Sequence, residues 1–225
     1  MARYSVYLET ADDRRCLAHV LALPGCIVRA SSRRGALDAL PQAIRDHCDW
    51  LRRHGESAPC AGESIQIEIA KEITGSGPFD PGDVAALFSP DLDPVPPEEM
   101  ERHFRLMDYA RADLLALVKG LSGEVLDWQR DSRVFTIRHL LRHLGNAEEW
   151  YVSRLVPPET LPPEWDDDER LPLFEFLEME RRTVVARLRK LTEAERSGVL
   201  YPTRWTEHPE EAWTARKVLR RALEH

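Results

Sequence analysis

The sequence predicts two domains of different class, an N-terminal α+β domain of order β-β-β-α-β and a C-terminal all-α four-helix bundle. Three observations predict this. Residues 1–73 alternate apolar and polar positions with period two around a single helical stretch. Residues 98–225 repeat their apolar positions at helical spacing. Residues 74–97, between them, are rich in Gly, Pro and Asp and read as a semi-rigid linker. A chain of 225 residues leaves each half enough length to bury its own core.

The first strand is RYSVYLE, with Tyr4, Val6 and Leu8 on one face. Asp12-Asp13 supplies a turn, CLAHVLAL reads as a more buried second strand, and CIVRA follows the Pro24-Gly25 break as a third. A helix is expected from about Arg33 to His54, because Ala36, Leu37, Leu40, Ile44, Cys48 and Leu51 recur at helical spacing. Ser31 or Ser32 caps it, Gly55 stops it, and Pro41 predicts a later start or a small kink. SIQIEIAKEI is the last strand, with Ile65, Ile67 and Ile69 on one face. One turn of helix is expected in the linker at Val84 to Phe88.

In the second half, a helix from Glu98 to about Lys119 presents Phe104, Met107, Leu114, Leu115 and Val118 as core residues. Thr136 caps a second helix, Ile137 to about Leu155. An acidic loop holds Trp165 and Asp166 to Asp168. The third helix, Leu173 to Leu191, presents Phe174, Leu177, Val184, Val185 and Leu188. The fourth starts after Thr214, and four amphipathic helices joined by loops make a bundle.

The formal charge of −8 argues against general nucleic-acid binding, whose footprint is basic. No apolar run approaches the roughly 20 residues of a membrane span. The opening MARYSVYLET lacks the apolar core of a signal peptide, so a cytoplasmic location is expected. Cys16, Cys26, Cys48 and Cys60 match no redox or zinc spacing and read as small buried apolar residues. Arg is abundant, and most of its pairs with carboxylates are expected at the surface. No nucleophile elbow, P-loop or dinucleotide fingerprint is present.

The chemistry-bearing candidates are histidines on two helices. At roughly 100° per residue, the stripe of Ala147, Leu140, Tyr151, Leu144 and Ile137 centres about 90° from His143, which therefore sits at its rim. His139 lies about 40° further out. On the last helix His225 also rims the apolar stripe, beside small residues that leave room for an ion or ligand. His143 and His225 are thus the candidate metal ligands; in the alternative, His139 joins His143 as an i, i+4 pair with His225 as third ligand. His19, His47, His54, His103 and His208 fit no ligand pattern; most are expected at the surface, and His208 lies in a loop that can approach the site. Trp150, Trp205 and Trp213 either shape an apolar pocket or belong to the core.

Two resemblances accompany these readings. YSVYLE, the turn Leu23 to Cys26 and the segment Arg53 to Glu56 resemble the HicB-like antitoxin family over residues 1–73. That resemblance implies a module for partner binding or dimerisation; the DNA-binding segment that often follows it has no counterpart here. Leu141 to Tyr151 and the closing WTARKVLRRALEH resemble the DinB-like family of four-helix bundles over residues 98–225. That family includes metal-dependent thiol transferases. The resemblance implies a divalent ion, zinc or nickel, held by one histidine of the second helix and two of the last at i and i+4. It assigns His143 and His225 to two of these roles and sets the third at position 229. The last helix spans about 18 Å against about 30 Å for the second, so its continuation past His225 is expected.

The expected activity is that of a metal-dependent thiol transferase or hydrolase. The alternative is a non-enzymatic interaction or regulatory protein with the bundle as a platform. Expected partners are a low-molecular-weight thiol or a protein, together with a second copy of the chain; no membrane or nucleic-acid partner is expected.

Overall fold

A computed structural model of the chain describes residues 1–58, 64–75, 86–166 and 170–225. They form two compact units, Met1–Pro90 and Asp91–Leu223, with His225 in the second.

The first unit is a four-stranded mixed sheet of order β3-β2-β1-β4 carrying one helix. Its strands are β1 (Ala2–Thr10), β2 (Cys16–His19), β3 (Ile27–Ala30) and β4 (Ile65–Thr74), and α1 (Arg33–Arg53) lies between β3 and β4 in sequence. β1 pairs antiparallel with β2, Tyr7 opposite His19, and parallel with β4, Ala2 opposite Ile65. The parallel pairing slips by one residue after Val6, which leaves Ala70 as a bulge. Tyr4, Val6 and Leu8 are buried, as the alternation predicts. Against the sheet α1 buries Ala36, Leu40, Ile44, Cys48 and Leu51. Ser32 caps α1 by accepting from the Gly35 amide, so Pro41 does not delay its start. Gly55 at φ +77° ends it in the left-handed region that a side chain disfavours.

Three expectations need correction in this unit. β2 is shorter than predicted, because Val20 to Cys26 forms successive backbone turns. His19 is fully buried and lies 3.1 Å from Glu9, since β2 is covered along its whole length. Cys48 is disulfide-bonded rather than a free apolar residue. Pairing depends on which sulfur the fold brings near, and sequence spacing does not reveal that. Cys16 and Cys26 are free and buried, and burial pushes the Cys26 thiol up to about 12. Cys60 lies outside the described residues, as do Val84 and Ala85 of the expected linker turn; Ala86 to Phe88 is not helical. Instead, Phe88 packs its ring 5.0 Å from that of Tyr7.

The second unit is helical among the described residues, apart from one isolated bridge between Leu200 and Trp213. Its helices are α2 (Pro97–Val118), α3 (Gly123–Leu126), α4 (Ile137–Ser153), α5 (Leu173–Arg189), α6 (Glu193–Ser197) and α7 (Ala215–Glu224). The four predicted helices are α2, α4, α5 and α7. The short α3 and α6 are additions, started by Ser122 and by a Thr192–Glu195 capping box. Thr136 and Thr214 cap α4 and α7 by accepting from the His139 and Lys217 amides.

On α5 the buried phenylalanine is Phe176, whereas Phe174 is 47% exposed. The true stripe is Leu173, Phe176, Leu177, Glu180 and Val184, whose i, i+3, i+4 spacing excludes Phe174. Gly145 of α4 faces Phe176 and lets the two helices approach closely. His103 is also buried rather than at the surface, with Nδ1 2.8 Å from the Glu99 carbonyl. The start of the unit is tied to α7. Buried Arg220 grips buried Asp91 through two bonds of 2.8 and 3.0 Å. Of the acidic loop, Trp165 is buried and donates to Thr183 Oγ1, while residues 167–169 lie outside the described residues.

Candidate metal centre and adjoining cavity

His143 sits two turns into α4 and His225 closes α7, where its amide donates to the Arg221 carbonyl. Their Nε2 atoms lie 3.1 Å apart, with ring centroids at 5.0 Å and planes at 53°. His139, one turn before His143, is exposed and stacks on Phe135 at 4.3 Å. Thus His143 and His225 come together, and His139 points elsewhere. The Tyr151 ring stands edge-on to His225 at 5.9 Å.

His225 keeps solvent contact on one side but is crowded by protein on the other. Burial, then the neighbouring His143, pushes its pKa down to about 4. It is therefore neutral near pH 7, the form in which an imidazole binds metal. Zinc–nitrogen bonds of about 2.0–2.1 Å put two adjacent ligand atoms about 3.0–3.4 Å apart. The observed 3.1 Å fits two corners of such a sphere. Among the described residues, no group of three or more His, Cys, Asp or Glu is placed to hold a metal.

Beside the pair, a cavity of about 120 Å³ opens among α2, α4, α5 and α7. Leu114, Leu144 and Ala222 line it together with His225, Arg111, Glu148 and Arg181. Glu148 accepts from both arginines. Arg111 reaches its Oε1 at 2.5 Å, and Arg181 reaches Oε1 at 2.5 Å and Oε2 at 2.9 Å. Arg111 also donates to the Leu177 carbonyl, and Arg181 to Asp108 at 3.3 Å. Burial pulls the Arg111 pKa down, but a guanidinium stays charged at neutral pH. These three residues were missed by sequence reasoning, which expected arginine pairs at the surface. The available signal was Glu148 itself, a carboxylate inside the Leu141 to Tyr151 segment.

The tryptophans do not line this cavity. Trp213 is fully buried and packs edge-on to Trp150 at 5.5 Å. Trp205, at φ +51°, lies in the loop before α7. Buried Arg154 holds that loop by donating to the Arg204 and Trp205 carbonyls while stacking over Trp150.

The second unit is thus a helical domain with a histidine pair from two helices, set beside a cavity with charged walls. The chain belongs to the DinB superfamily, whose family model matches residues 106–225. Its N-terminal region is similar to the UPF0150 protein Ta0767 of Thermoplasma acidophilum. The two are 32% identical over 57 residues, which is 25% of this chain and 83% of that protein. This agrees with the HicB-like resemblance. No solved structure matches the chain. No helix among the described residues is long and apolar enough to cross a membrane.

Proposed function

We propose that the C-terminal unit is a four-helix-bundle enzyme of the DinB-like type, a thiol transferase or hydrolase that uses a divalent ion, zinc or nickel, bound by His143 and His225. The observation that carries this reading is the 3.1 Å approach of two imidazole nitrogens from separate helices. Membership of the DinB superfamily supports it. When bound, the ion supplies Lewis acidity for a thiol or water nucleophile. His143 and His225 supply imidazole nitrogen donors, Thr136 and Thr214 fix the helices that carry them, and the adjoining cavity gives a small substrate a place out of bulk water.

The test is metal analysis of the full chain beside a folded His143→Ala variant. About one equivalent of metal per chain is expected, and it is lost in the variant. Less than about 0.2 equivalents, unchanged in the variant, overturns the reading.

A second reading concerns the N-terminal unit. β4 is an edge strand with Ile69 exposed, which favours a HicB-like module that dimerises or receives a partner strand there. On this reading the helical unit is a platform. The two readings are compatible, since each rests on a different unit.

A further inference from the structure

β4 ends the sheet among the described residues, so alternate backbone N–H and C=O groups along it face away from β1. The middle of the strand is exposed without a break. Glu68, Ile69, Ala70 and Lys71 are all exposed, whereas Ile65, Ile67, Glu72 and Ile73 are half-buried. The exposed stretch reads EIAK, two apolar residues between charges of opposite sign. Laid antiparallel, two such stretches meet with Glu68 opposite Lys71 and Ile69 opposite Ala70. The stretch is complementary to itself.

In a regular strand, residues three apart point to opposite faces, and this pairing would fail. The bulge at Ala70 removes the obstacle. Glu68 lies opposite Ser5 and Lys71 opposite Tyr7, and Ser5 and Tyr7 share a face of β1. Glu68 and Lys71 therefore share a face too. The same bulge spoils the edge for a regular strand, whereas a second copy brings a matching irregularity at the two-fold-related place. Neither charge is tightly held within its own chain. Glu68 meets Arg3 only at 4.0 Å, with the two side chains 65% and 63% exposed, a surface pair of small value. Lys71 makes no ion pair among the described residues.

We infer that β4 is the contact of a two-fold homodimer, paired antiparallel with the same strand of a second copy, Glu68 opposite Lys71 of the partner subunit and Lys71 opposite Glu68 of the partner subunit. The inference rests on the reading of β4 as an edge that takes a strand, and it names the strand and its register. Ile69 is then covered by Ala70 of the partner subunit, and the two sheets become one.

The test is sedimentation equilibrium of the full chain beside E68K, K71E and the double variant E68K/K71E, with circular dichroism to check folding. The native chain is expected to dimerise. Each single reversal sets like charges opposite each other at two places and weakens dimerisation about tenfold or more. The double variant restores both pairs and returns to within about threefold of the native chain. Rising salt weakens the native dimer as well, a readout that needs no variant. Single reversals without effect, a double variant no better than either single one, or a dimer indifferent to salt overturns the register. If I69K still breaks that dimer, the edge reading stands and the register alone is lost. A native chain that stays monomeric at high concentration overturns both.

Discussion

At Gly145 a single hydrogen atom sets the distance between two helices. A Cβ there would run into the Phe176 ring, 2.6 Å from its Cζ, and the ring is fully buried. Gly145→Ala is expected to destabilise the protein by roughly 1–3 kcal/mol in urea unfolding, the usual penalty for overpacking a core. Phe176→Leu in the same chain should recover part of that loss, since neighbours couple. Gly145 also lies two residues from His143, so its substitution shifts the turn that carries the histidine. A titration belongs at this scale too. Burial holds the His103 pKa below its ordinary 6.5, against the opposing pull of the Glu99 carbonyl and carboxylate. Between the folded value and about 6.5 the unfolded chain binds more protons, so stability is full above about 6.5 and falls as pH drops through that window. Proton NMR should show His103 titrating below 6.5, and His103→Gln should flatten the acid limb of the stability curve.

At the scale of elements, α7 is too short to hold itself together in water and depends on its anchors. Thr214 is the first anchor. Its hydroxyl donates to the Asp91 carbonyl at 2.6 Å and accepts from the Lys217 amide at 3.1 Å. Thr214→Ala should cost about 1–2 kcal/mol and speed hydrogen exchange along α7 before it affects α4. Much of this was legible in the sequence. Ser32, Thr136 and Thr214 announce helix starts by local chemistry, and the rim positions of His143 and His225 follow from helical spacing. What was not legible depends on partners far apart in the chain. Phe174 and Phe176 are equally apolar, and the stripe that excludes Phe174 runs through buried Glu180, a carboxylate that a reading of apolar spacing leaves out of a core. Arg111, Glu148 and Arg181 come from three different helices, so no single segment displays their network. His19 and His103 looked like surface residues because a histidine does not advertise its own burial.

At the scale of the whole molecule, the chain joins a mixed sheet unit to a helical unit. β4 ends the sheet among the described residues and exposes Gln66, Glu68 and Ile69, an edge only partly guarded by charge. If two copies pair along it, native mass measurement should show dimers that Ile69→Lys converts to monomers. A strict monomer at high concentration would count against edge pairing.

The parallel pairing of β1 with β4 also sets a timetable. β1 can zip to β2 as soon as the intervening turn closes, since few residues separate them. Its other flank waits for β3, α1 and β4, a separation of about sixty residues, and long-range pairing of this kind forms slowly. At roughly 5–20 residues per second of synthesis, β1 is left open on that flank for on the order of several seconds. During that interval Ala2 to Thr10 is a nascent strand without its final neighbour, and it is then that the chain is most open to mispairing with another of its kind.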